Sequence, residues 1–226
     1  MKNWSFKKWN TLLGWVVFAI AFLTYFSTIE PNLSFWDTGE YISSAVKLEV
    51  THAPGAALFQ LVGAVAAMFA FGNGENYSVV INSMSALFSA FTILFLFWTI
   101  THLVRRLLNK EFHEINKHQE ISILFAGVIG ALCFTFSDTF WFSAVEGEVY
   151  SMTSMFIALL VWLITKWENE YHDADNERWI ILIFFVTGLS VGVHMMCMLA
   201  IPAVCLMYYA RNYEFSWKSF LWANVF

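Results

Sequence analysis

Six stretches of this chain run without a charged side chain for long enough to matter: residues 9–29, 53–74, 76–101, 121–137, 149–165 and 179–210. At about 1.5 Å per helical residue, roughly 20 residues cross the hydrocarbon core of a bilayer. The last stretch contains only His194 as a titratable residue outside its cysteines and tyrosines, and is long enough for a helical hairpin with Gly192-Val193-His194 near its tip. A sheet with open edges would leave backbone groups unpaired in lipid, so the stretches are read as helices. Composition agrees: 59% hydrophobic residues against 13% charged, with a mean hydropathy of +0.60, lie outside the range of soluble globular domains. The expected fold is therefore all-α, a polytopic transmembrane helical bundle.

The positions of lysine and arginine decide which stretches cross. If all of them span, Lys47 and eight other basic residues lie outside and only Lys2, Lys7 and Lys8 remain inside. If residues 53–74 instead lie at the outer surface, Lys47 alone is outside and the other eleven of the twelve are inside. The positive-inside rule selects the second arrangement. Pro54, Gly55, Gln60 and Gly63 fit an interfacial helix better than a span. The predicted map has a cytoplasmic N-terminus, crossings at about 12–26, 79–103, 121–136, 152–164, 180–193 and 196–210, and an interfacial helix at about 56–71. The first segment is too apolar in length for a secretory signal and has no small-residue cleavage site after Phe26, so it reads as an uncleaved anchor. Residues 1–226 read as one N-terminal transmembrane module of a longer protein. Cys133, Cys197 and Cys205 lie in apolar segments and are expected to pack rather than bridge.

The outer loops carry eight acidic residues against one lysine, so chemistry is expected there. In Ser34-Phe35-Trp36-Asp37-Thr38-Gly39-Glu40-Tyr41, Asp37 and Glu40 would share one face of a helical turn. Aromatic neighbours that exclude water would raise a carboxylate's pKa towards that of a general base. The plainer reading is structural: Asp37 as a helix N-cap with Glu40 completing a capping box. Thr51-His52-Ala53-Pro54-Gly55 reads as a turn. Glu146 and Glu148, two residues apart at the mouth of the fourth crossing, need not act together and can be read as a solvated helix entrance. His194 reads either as a ligand or as a hydrogen-bonded interfacial residue. His172, Asp173 and Asp175 have metal-ligand side chains but sit in a solvated charge run.

The order of these motifs resembles the GT-C superfamily of membrane glycosyltransferases, and within it the bacterial protein O-mannosyltransferase-like family. The resemblance rests on Phe35-Trp36-Asp37-Thr38-Gly39-Glu40, then Thr51-His52-Ala53-Pro54-Gly55, a surface helix, a crossing ending in Arg105-Arg106, and Glu146-Gly147-Glu148-Val149-Tyr150-Ser151. Ala53 stands where the family's His-Pro-Pro-Gly turn has its first proline. The resemblance implies an inverting transfer of a mannose-like hexose from a polyprenyl-phosphate donor to a hydroxyl, with a secreted or periplasmic protein as acceptor and a bacterial inner membrane as the location. It implies Asp37 as general base and Glu40 as the residue that orients the acceptor or Asp37. Lys47, His52 and His194 are the outer groups able to meet the leaving phosphate, and Glu146, Glu148 and Tyr150 would form the far wall. A divalent cation at the paired carboxylates is compatible with these residues, membrane lipid is the expected surrounding, and no nucleic-acid partner is expected. A helical transporter and a non-catalytic membrane scaffold are the alternative readings.

Overall fold

The computed structural model describes residues 2–108, 115–172 and 175–225. Among them there is no strand, and the chain is a polytopic helical bundle. The long helices are α1 (Lys2–Ser27), α4 (Tyr77–Leu107), α5 (Lys117–Thr135) and α7 (Val149–Asn169), and the shorter α2 (Thr38–Lys47) and α3 (Ala57–Ala67) lie between α1 and α4. A seven-residue α6 (Asp138–Ala144) joins α5 to α7, and α8 (Glu177–Val191), α9 (Ile201–Asn212) and α10 (Trp217–Val225) complete the chain. Five helical segments are apolar and long enough to cross a membrane: Phe6–Ser27, Gly74–Leu107, Lys117–Thr135, Val149–Asn169 and Met195–Asn212. α8, at 15 residues, falls short of that length. The chain then turns at Gly192-Val193-His194 and resumes as a 3-10 turn, Met195–Ala200, that leads into α9. Lys110 of the predicted basic loop and Asp173 of the charge run lie outside the described residues.

α4 is the central wall. One core, including Val17, Ala21, Ile93, Phe97 and Ile123, fills the space between α4, α1 and α5. A second, including Ile42, Phe59, Ile81, Phe156 and Leu160, joins α4 to α2, α3, α7 and α8. Helices in lipid gain little from apolar burial and associate through close packing, which small residues permit. Gly127 of α5 is one such place, because a Cβ there would meet Thr101 Cγ2 at 2.5 Å. Gly63 of α3 is another, with Ala45 Cβ of α2 at 2.9 Å from the same hypothetical atom. The first contact brings α5 against α4 and the second holds α2 and α3 together, a pair that the second core packs against α4 and α7.

Candidate functional site

The acidic motif opens α2. Trp36, immediately before it, has φ +62°, the left-handed region that a bulky residue adopts only when its surroundings impose it. Asp37 stands at the N-cap position, yet its side chain makes no capping hydrogen bond. The capping-box reading is therefore corrected: Asp37 leaves the helix end uncapped, and Glu40 turns elsewhere. Glu40 Oε1 accepts the backbone N–H of His52 at 2.6 Å, and its Oε2 lies 3.0 Å from His52 Nδ1. One carboxylate thus holds both the backbone and the ring of a residue twelve positions away, which opens the turn where Ala53–Pro54 is cis and Gly55 has φ +93°. Tyr41 packs its ring edge-on to His52 at 5.9 Å and to Phe59 at 5.5 Å, which fastens the dyad to α3.

The second outer loop supplies the support for the first. Glu148 Oε1 accepts the backbone N–H of Asp37 at 3.2 Å and lies 3.2 Å from the Thr38 hydroxyl. It therefore occupies the acceptor position that a capping side chain on α2 would have filled. Glu146 reaches Ser34, and Glu30 donates its N–H to the Val145 carbonyl at 3.1 Å. Asn82, fully buried on α4, donates Nδ2 to the Glu30 carbonyl at 2.6 Å. Gly147 lets the loops meet, since a Cβ there would lie 2.9 Å from Asn82 Oδ1. Glu146 and Glu148 are 3% and 4% exposed, so the solvated-entrance reading is also corrected. Ser34, Thr38 and Asn82 carry this architecture: the first two lie within the acidic motif but were given no role there, and the signal that could have found Asn82 is an amide within an apolar helix.

The electrostatics divide the carboxylates. Burial pushes Glu148 up, opposed by its hydrogen bonds from Thr38 and Asp37, while the Asp37 charge adds to the rise. Burial likewise pushes Glu146 up, with a further rise from Glu148. Glu40 goes the other way, held down by the hydrogen bonds from His52, and His52 is held up by the same Glu40 contact. Tyr41 is pushed up to about 12 by burial and by the acids around it. The expectation that aromatic neighbours would shield Asp37 and Glu40 is not met. Phe35 and Trp36 are 79% and 85% exposed and point away, Asp37 is exposed, and the raised carboxyls are those of the second loop. Asp37 is thus an open carboxylate on a fixed backbone.

Asp37, Glu40 and His52 each offer a ligand atom within 4.8 Å of the others. Two carboxylates and an imidazole suit a divalent cation of the manganese or zinc kind. Glu40 and His52 Nδ1 already engage each other, which leaves Asp37 and His52 Nε2 as the readiest donors. Tyr150 and His194 form a second pair, with ring centroids 5.9 Å apart, and His194 Nδ1 accepts the Met196 N–H at 3.1 Å. The Leu58 N–H of α3 reaches the Gly192 carbonyl at 2.7 Å, so the surface helix ties the His194 turn to the same end of the bundle. Lys47 is not brought in: it is exposed in the last turn of α2, about 15 Å along the helix from Asp37. His172, from the charge run, lies 3.2 Å through Nε2 from the Arg211 guanidinium.

A helical membrane bundle that presents an open carboxylate beside a carboxylate-imidazole dyad defines a class of protein, an integral membrane protein with a polar site on the loops at one end of its bundle. Comparison with known sequences gives the particular family. Residues 37–217 match the Protein O-mannosyl-transferase TMEM260 N-terminal domain, and the chain belongs to that family. The Protein O-mannosyl-transferase tmem260 of Dictyostelium discoideum is 24% identical over 220 residues, covering 93% of this chain and 25% of that protein. Protein O-mannosyl-transferase TMEM260 of Mus musculus is 27% identical over 176 residues, covering 77% of this chain and 22% of that one. The chain therefore spans about a quarter of the length of these curated relatives. No solved structure matches the chain.

Proposed function

We propose that this chain is the N-terminal, site-bearing part of a GT-C-type membrane protein O-mannosyltransferase. It moves a mannose-like hexose from a polyprenyl-phosphate donor to a Ser or Thr hydroxyl on the non-cytoplasmic face, which is periplasmic in a bacterial host. The observation that carries the reading is Asp37: an exposed carboxylate with its backbone pinned by Glu148, in a family whose relatives bear that enzyme name. A base must come within hydrogen-bond reach of the hydroxyl it deprotonates, and an open carboxylate on a fixed loop meets that need.

In this mechanism Asp37 takes the hydroxyl proton while the oxygen forms a bond to the anomeric carbon. The bond from that carbon to the phosphate oxygen breaks on the opposite face, so configuration inverts and the phosphate leaves with the electron pair. Glu40 is a positioning residue: it clamps His52 and leaves Nε2 to donate to the departing phosphate, with the proton on His52 favoured by the same contact. Tyr150 and His194 line the acceptor or sugar side, and α3 with the 3-10 turn that follows it, where Leu61, Val65 and Met68 are exposed, guides the lipid tail along the membrane surface. The N-terminus is cytoplasmic, as the distribution of basic residues requires for this sidedness.

The test is transfer of radiolabelled mannose from a polyprenyl-phosphate donor to a Ser/Thr peptide, in membranes carrying the full-length protein. Asp37→Asn at matched expression is expected to reduce transfer by about a hundredfold or more. Unchanged transfer would remove Asp37 as the base. Flux of a solute altered by the same substitution, without sugar transfer, would favour the transporter reading.

A further inference from the structure

The end of the bundle opposite Asp37 holds a polar cavity of about 350 Å³ between α1, α4 and α7. Lys7 from α1, Arg105 from α4 and Lys166 from α7 line it, together with His102. Trp98 and Trp162 form an aromatic side with ring centroids 5.3 Å apart, and Lys166 Nζ lies 5.4 Å from the Trp162 ring. Lysines at a membrane boundary ordinarily extend towards the headgroup layer, and alone they would mean no more than that. Arg105 is different. It is 2% exposed, and its guanidinium is oriented by a hydrogen bond to Asn169 Oδ1, whose amide nitrogen lies 3.0 Å from His102 Nδ1. A buried, oriented guanidinium flanked by two lysines on separate helices is a donor set for a tetrahedral oxyanion. Its volume is at the small end of ligand sites, large enough for a phosphate and its ester linkage.

We propose that this cavity binds a phosphate-bearing anion at the cytoplasmic boundary of the membrane, either the headgroup of an anionic phospholipid or a free phosphate. The basic residues that place this end of the bundle on the cytoplasmic side also place it beside the anionic leaflet. The site lies apart from the acidic outer cleft and does not depend on the transferase reading. Its walls come from the two helix pairs that form the centre of the bundle, so occupancy would brace α1 and α7 against α4.

The experiment is calorimetric titration of the full-length protein, purified in a zwitterionic detergent, with dihexanoyl phosphatidic acid, inorganic phosphate and dihexanoyl phosphatidylcholine. Saturable binding of the phosphatidic acid is expected, weakened about fivefold by Lys7→Gln and by Lys166→Gln. Lys117→Gln removes an exposed charge that does not line the cavity and is expected to leave binding unchanged. Melting temperatures of the three variants are compared so that loss of fold is not read as loss of binding. Inorganic phosphate that competes at similar concentration identifies phosphate itself as the ligand, and phosphate that fails to compete identifies the lipid headgroup. Either result supports the site if the two lining lysines weaken it. Absence of saturable binding by either anion, or equal weakening by Lys117→Gln, would overturn it.

Discussion

The two ends of the bundle both bury carboxylates, and they treat them in opposite ways. At the end that the proposed sidedness makes inner, Glu168 is paired: its Oε2 lies 3.1 Å from His102 Nε2 and its Oε1 meets the Arg106 guanidinium, which ties α7 to α4. At the other end, outer in the same reading, Glu146 and Glu148 are buried among hydroxyl and backbone donors, and no lysine or arginine among the described residues forms an ion pair with them. A paired buried acid is an element of construction, whereas buried acids without counter-charge are kept where a protein uses their strain or their position. On this difference we propose structure for one end and chemistry for the other.

The largest effect on stability is expected at the inner end. Replacing Glu168 with Ala leaves His102 and Arg106 without their carboxylate and should cost about 3 kcal/mol, read as a lower melting temperature in detergent. Sugar transfer per folded molecule should change little, and a large loss of transfer at unchanged stability would break the contrast between the ends. Gly147→Ala comes next, because the new Cβ meets Asn82 Oδ1 and Ile81 together. A cost of about 1–3 kcal/mol is expected, with a matching loss of transfer as the two outer loops part. Glu148→Ala removes the acceptor of the Asp37 N–H and should lower kcat for transfer with a smaller drop in stability, about 1–2 kcal/mol.

The smallest effect, and the sharpest, concerns pH. His52 has its pKa raised by Glu40, so the favourable contribution of the pair is fully present below the unfolded histidine value and is lost as pH rises through the higher folded value. If protonated His52 meets the leaving phosphate, kcat/KM for transfer should fall across that same window. Glu40→Gln should then move the falling limb to lower pH, towards the ordinary histidine range. A limb that stays in place would show that another group sets it.

The helices were legible because crossing a bilayer demands long uncharged runs, and α1, α4, α5 and α7 lie on such runs. The two outer motifs were legible as concentrations of acid on a face with one lysine. Their division of labour was not. Glu146 and Glu148 look solvated in sequence because only the fold shows that Ser34, Thr38 and Asn82 enclose them. The Glu40–His52 dyad was hidden for a related reason: it joins the first turn of α2 to a residue beyond the left-handed end of that helix at Leu48, so spacing gives no period by which to find it. The capping box failed because a carboxylate from another loop takes the helix-end N–H that the local motif would have used. The basic residues were read as markers of sidedness, a count blind to the fact that Arg105 is buried inside a cavity.

The most direct measurement is a paired comparison of Asp37→Asn and Glu168→Gln in the full-length protein, with mannose transfer and melting temperature read on the same preparations. The account predicts that Asp37→Asn abolishes transfer and leaves the melting temperature nearly unchanged, because its side chain makes no capping bond. It predicts that Glu168→Gln lowers the melting temperature and keeps transfer in the surviving fold. Full transfer by Asp37→Asn, or loss of transfer in a stably folded Glu168→Gln, would contradict the placement of the chemistry at the outer end.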